Sequence, residues 1–101
     1  ISNLFAQQKR KAVDDILEGL AGLLAIARKS RSYEELEYVT LKLDEVVRQS
    51  IRYTRRGLTN TRTMSALMLA IDSTRAAIMD RRHILQSEAR HAGQRYVHDP
   101  Q

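Results

Sequence analysis

The chain has 101 residues, 43% of them hydrophobic and 29% charged, with 17 Lys+Arg against 12 Asp+Glu and a net charge of +5. That length allows one small domain and excludes an enzyme with a separate cofactor domain, while the apolar fraction excludes a disordered tail. Cys is 0, which excludes disulfides, a thiol nucleophile and a Cys-based metal site, and fits a reducing compartment.

With 4 Gly, 1 Pro and few aromatics, the composition suits long helices. The first is read over Ser2 to Lys29. Leu4, Phe5, Val13, Ile16, Leu17, Leu20, Leu23, Leu24 and Ala27 recur at helical spacing and define one apolar face. Gly19 and Gly22 interrupt it at ~1 kcal/mol each relative to Ala, so they are expected to permit close helix packing.

Lys29-Ser30-Arg31-Ser32 breaks the pattern. Ser32 and Glu35 then form a capping box that starts a second helix, Tyr33 to Arg56. Its stripe is Leu36, Val39, Leu43, Val46, Val47 and Ile51. Glu34, Glu35 and Glu37 suit the positive end of the helix dipole, and Arg48, Arg52, Arg55 and Arg56 suit the negative end. Gly57 reads as the residue that stops it.

Asn60 or Thr61 caps a third helix, Thr61 to Ala92, with Gly93 as its stop. One stripe is large (Met64, Leu67, Met68, Ile71, Thr74, Ile78 and Leu85). A second is small (Ala66, Ala70, Ser73 and Ala77). Two stripes predict contact with both other helices, and Ala66, Ala70 and Ala77 join the glycines as packing positions. Residues 1–93 thus read as one helical domain and 94–101 as a flexible polar tail.

Short connections force antiparallel neighbours, so the expected fold is all-α, an up-down-up three-helix bundle. The alternative is a helical hairpin that dimerises into a four-helix bundle. In the three-helix form the start of helix 1, the end of helix 2 and the start of helix 3 share one pole. It collects Lys9, Arg10, Lys11, Arg48, Arg52, Arg55, Arg56 and Arg62 against Asp14, Asp15 and Glu45, a local excess equal to the net charge of +5. The opposite pole mixes Arg28, Lys29, Arg31, Arg81 and Arg82 with Glu34, Glu35 and Glu37. A basic pole suits dipole complementation, an anionic membrane face or, with only Tyr53 interleaved, nucleic acid.

Chemistry-bearing sets are missing from the pattern. His83, His91 and His98 lack the i, i+3 or i, i+4 spacing of helical metal ligands, and Asp14-Asp15 and Glu34-Glu35 are helix neighbours that do not face each other. No phosphate loop or nucleophile elbow occurs. Met64, Met68 and Met79 read as core and not as a promiscuous groove. Tyr33, Tyr38, Tyr53 and Tyr96 form no stacking platform. No catalysis, cofactor, metal or small-molecule substrate is expected. The chain starts at Ile1, not Met, and reads as a module cut from something longer. No 18-residue apolar run and no signal peptide are present in it.

Two stretches carry a family resemblance: 27–47, from Ala27-Arg28-Lys29-Ser30 through Tyr33-Glu34-Glu35-Leu36 to Val46-Val47, and 66–82, with its Arg75-Ala76-Ala77-Ile78-Met79-Asp80-Arg81-Arg82 run. Over about residues 24–85 the chain resembles the C-terminal helical domain of membrane-anchored TAXI-type solute-binding proteins of TRAP transporters. The resemblance implies a cytoplasmic anchoring, oligomerisation or signalling role without a ligand site. It also implies inter-helix ion pairs from Arg75, Asp80, Arg81 and Arg82. The expected function is a non-catalytic interaction domain, in the cytoplasm and tethered to the inner face of a membrane. Its expected partner is another protein or a second copy, or anionic lipid at the basic pole. The competing expectation is nucleic-acid binding through the helix-2 arginines.

Overall fold

The computed structural model describes residues 2–57 and 59–98, with side chains for all of these except 2, 3, 5 and 94–98. Three helices follow one another: α1 (Ser2–Lys29), α2 (Tyr33–Arg55) and α3 (Thr61–His98). Each packs on the other two, as an up-down-up bundle requires. The rod measures 77 × 17 × 16 Å.

Local chemistry sets the turns. Ser32 has extended φ/ψ of −141° and 158°, and its Oγ accepts from the Glu35 N–H at 3.2 Å. Glu35 reaches back one residue beyond the cap, where its Oε2 accepts from the Arg31 N–H at 2.7 Å. At the other turn Arg56 and Gly57 donate to the carbonyls of Arg52 and Thr54 at 3.1 and 3.0 Å. Gly57 adopts φ 71°, the left-handed conformation that ends a helix and that side chains with a Cβ resist. Asn60 is the cap of α3, its Oδ1 accepting from the Thr63 N–H at 2.8 Å. Leu58 lies outside the described residues.

The core is a single column. Val13, Ile16, Leu20, Leu23 and Ala27 of α1 meet Leu36, Val39 and Leu43 of α2 and Leu67, Ile71, Ile78 and Leu85 of α3. Leu20, Leu36 and Leu67 are each at most 1% exposed. Each contributes about 1.5–3 kcal/mol relative to solvent exposure. Buried polar groups are satisfied one turn back: Ser30, Ser50 and Thr74 donate to the carbonyls of Ile26, Val46 and Ala70 at 2.8–2.9 Å.

Several expectations are corrected. The α2 core follows steps of three and four through Leu36, Val39, Leu43, Val46 and Ser50. Ile51, one position further round, is therefore 46% exposed while Ser50 is buried. Leu4, expected in the α1 stripe, is also exposed; the Phe5 side chain lies outside the described residues. Met68 and Met79 are exposed too, and Met64 is half-buried. A Cβ built on Gly19 or Gly22 meets nothing within 4 Å, so neither glycine brings another helix of this chain close. Ala70 and Ala77 do pack against the core, but Ala66 is exposed. Gly93 does not stop α3. Its φ is not positive, and the helix continues to His98. Residues 94–98 of the expected tail are therefore helical, and 99–101 lie outside the described residues.

A long-range polar contact ties α3 to the α1/α2 turn. The Arg81 Nε of α3 donates to the carbonyl of Ser30, the buried residue of the turn between α1 and α2. That carbonyl lies at the negative end of α1, where a cation is favoured.

These observations predict opposite signs for glycine substitutions in urea unfolding. Gly19→Ala and Gly22→Ala each stabilise by about 0.5–1 kcal/mol, because the helix gains an Ala in open space. Gly57→Ala destabilises by about 1–2 kcal/mol, because its left-handed φ is retained at steric cost. Arg81→Met lowers stability by roughly 1–2 kcal/mol in the same measurement, through loss of a part-buried charge-assisted bond.

Candidate functional site

The bundle places the ends expected to be basic together, but it distributes their side chains over different faces. On the α1/α3 side, Lys9 and Arg10 line an open cleft of about 450 Å³ with Gly57, Asn60, Arg62 and Thr63. Asp14 also lines it, so three cations there face one carboxylate. Lys9 is half-buried, whereas Arg10 and Arg62 are exposed. Lys11 is exposed.

On the α2/α3 side lies a groove of about 450 Å³ with an apolar lining, formed chiefly by Val47, Ile51, Met64, Leu67, Met68 and Ile71. Arg55 and Arg75 border it, and Asp72 is its single carboxylate. Leu67 and Ile71 form the buried floor, and Ile51 and Met68, 46% and 58% exposed, stand at the rim. Thr54 stitches the groove's end: its Oγ1 donates to the Ser50 carbonyl at 2.9 Å and accepts from the Thr59 hydroxyl at 3.2 Å.

Arg48, Arg52, Arg55 and Arg56 are all exposed on the side of α2 away from the core. Asp44, one turn before Arg48, borders them as well, so this end is less purely basic than a count against Asp14, Asp15 and Glu45 suggests. The pole is thus two arrays on one end of the rod: a cleft around Lys9, Arg10 and Arg62, and an arginine face on α2.

The ion pairs implied for α3 take other forms. Arg75 pairs with Asp72 on its own helix at 3.9 Å, and Lys42 pairs with Glu45 on α2 at 3.6 Å. Both pairs are exposed and worth at most about 1 kcal/mol. Arg81 holds the Ser30 carbonyl, and Asp80 and Arg82 make no ion pair among the described residues. His83 and His91 are exposed; the His91 ring Nδ1 lies 2.7 Å from the Ser87 carbonyl on the same helix. Among the described residues no three His, Asp or Glu side chains stand close enough to hold a metal ion, and no helix is long and apolar enough to cross a membrane.

No family model, curated protein or solved structure matches the chain.

The groove was missed by sequence reasoning because Met68 and Ile51 fall at helical spacing with true core residues. The signal available was angular: both sit at the edge of their stripe, about 100° from its centre. If the rim is surface and the floor is core, substitutions separate them in thermal unfolding of dilute protein. Ile51→Gln and Met68→Gln stay within about 0.5 kcal/mol of the parent, whereas Leu67→Ala costs about 2–5 kcal/mol.

Proposed function

We propose that this chain is a non-catalytic helical interaction module, a rigid rod that presents the α2 surface and the α2/α3 groove to another macromolecule. The observation that carries the reading is the groove itself: apolar, open, bordered by Arg55 and Arg75, and lying outside a core that is complete without its rim. Exposed apolar side chains beside charged ones are what a reversible protein interface needs at its centre and rim. The resemblance of residues 24–85 to the helical domain of membrane-anchored TAXI-type solute-binding proteins supports a place in a larger transport or signalling protein, in the cytoplasm and close to the inner face of a membrane.

A second reading is favoured by exposed cations grouped at one end of the rod. Lys11, Arg52 and Arg56 are exposed at the end of the rod where α1 begins. Such a cluster is attracted to an anionic lipid surface by ~1 kcal/mol per cation, and the attraction falls off within a Debye length.

Vesicle sedimentation tests this contact. The chain is expected to sediment with anionic vesicles at low salt, less at physiological salt, and not with neutral ones. Reversal of Arg52, Arg55 and Arg56 to Glu is expected to abolish binding. Binding that survives the reversal overturns the lipid reading. Gel shifts on duplex DNA across a salt series separate the nucleic-acid alternative, which requires a steep salt dependence.

A further inference from the structure

The outward face of α2 carries a pattern that its own fold does not use. Glu37, Leu41, Asp44, Arg48, Ile51 and Arg55 follow one another at alternating steps of four and three. That is the spacing of a coiled-coil seam, an average of 3.5 residues, which keeps one line of side chains facing a partner helix. All six are exposed, Leu41 at 58% and Ile51 at 46%. Among the described residues none of Glu37, Asp44, Arg48 and Arg55 is in an ion pair.

Read from either end, the stripe is its own complement. In order it is acid, apolar, acid, base, apolar, base. Turned end for end about a point near Val46, Glu37 falls opposite the partner's Arg55, Leu41 opposite the partner's Ile51, and Asp44 opposite the partner's Arg48. A two-fold axis repeats each pair, as an isologous interface demands. Parallel pairing would instead set acid on acid and base on base, which is repulsive. We propose that a second copy of this chain docks here, α2 against α2 and antiparallel, giving a homodimer.

Dipole complementation is the simpler account of acids early and arginines late in α2. It acts only within the first and last turns. Asp44 and Arg48 sit mid-helix, and a dipole places no demand on Leu41 and Ile51, yet all four obey the same symmetry. The seam offers two Leu41–Ile51 layers and four charge pairs, so the dimer is small and reversible, sensitive to salt, and of the transient class. The α2/α3 groove flanks the seam through their shared residues Ile51 and Arg55.

This names a partner for the interaction module and rests on that reading. Sedimentation equilibrium of the whole chain is the test. The expected result is a monomer–dimer equilibrium that weakens as salt rises. Glu37→Arg and Arg55→Glu each weaken it by about tenfold or more, through like charges brought face to face. The double variant restores it. An equimolar mixture of the two single variants also restores it, because each then supplies what the other lost. The chain has no Cys, so introduced thiols report geometry cleanly. Under oxidation Leu41→Cys mixed with Ile51→Cys forms a covalent dimer. Neither variant alone does, since in the antiparallel register like positions lie ~15 Å apart along the axis. A chain that is monomeric at every concentration, a dimer indifferent to both reversals, or Leu41→Cys cross-linking alone overturns the proposal. A monomer that still sediments with anionic vesicles overturns the dimer and leaves the lipid reading standing. A monomer that binds neither vesicles nor a protein partner overturns the interaction module as well.

Discussion

No helix of this chain can bury its apolar face alone. Each stripe is about one face wide, and a helix with an uncovered leucine row is marginal in water. The structure therefore depends on three stripes closing on one column, with Leu20, Leu36 and Leu67 all but fully buried at different levels along it. That closure fixes the rotation of every helix about its own axis. Once Leu36, Val39 and Leu43 point inward, Glu37, Leu41 and Arg48 must point outward, and the surface chemistry follows from the core. Thr74 and Ser50 fit the column despite their hydroxyls because each donates to a carbonyl on its own helix and needs nothing from a neighbour.

Much of this was legible in the sequence because it is local. Ser32, Asn60 and Gly57 mark turns through bonds and backbone angles that reach no further than four residues, and all three act as expected. The bounds of α1 and the up-down-up order were legible for the same reason. What escaped depends on distance or on what surrounds a residue. Gly93 resembles Gly57 in sequence, but a glycine stops a helix only where the chain turns left-handed, and here it runs on. Gly19 and Gly22 suggested close packing, but the space above them is open. The Arg81 bond to Ser30 spans 51 positions, and no periodicity reports it.

The charges show the same division. Their grouping at one end of the rod follows from helix order. Their separation into a cleft around Lys9, Arg10 and Arg62 and a face of arginines on α2 follows only from azimuth. The distinction matters for function, because a membrane reads the end of a rod whereas a protein partner reads a side.

An odd number of helices sends the chain in at one end and out at the other, and α3 extends about 20 Å past Leu85, the last buried residue among the described side chains. The described chain therefore runs from one end of a 77 Å rod to the other. Tension between those ends would slide α1 along α3 through all their contacts at once, instead of unzipping them one by one. The Arg81–Ser30 bond ties α3 to the turn where α1 ends, so it would lie directly across that slip plane. A force along the rod is therefore borne by the α1/α3 packing in shear, with the Arg81–Ser30 bond adding to it.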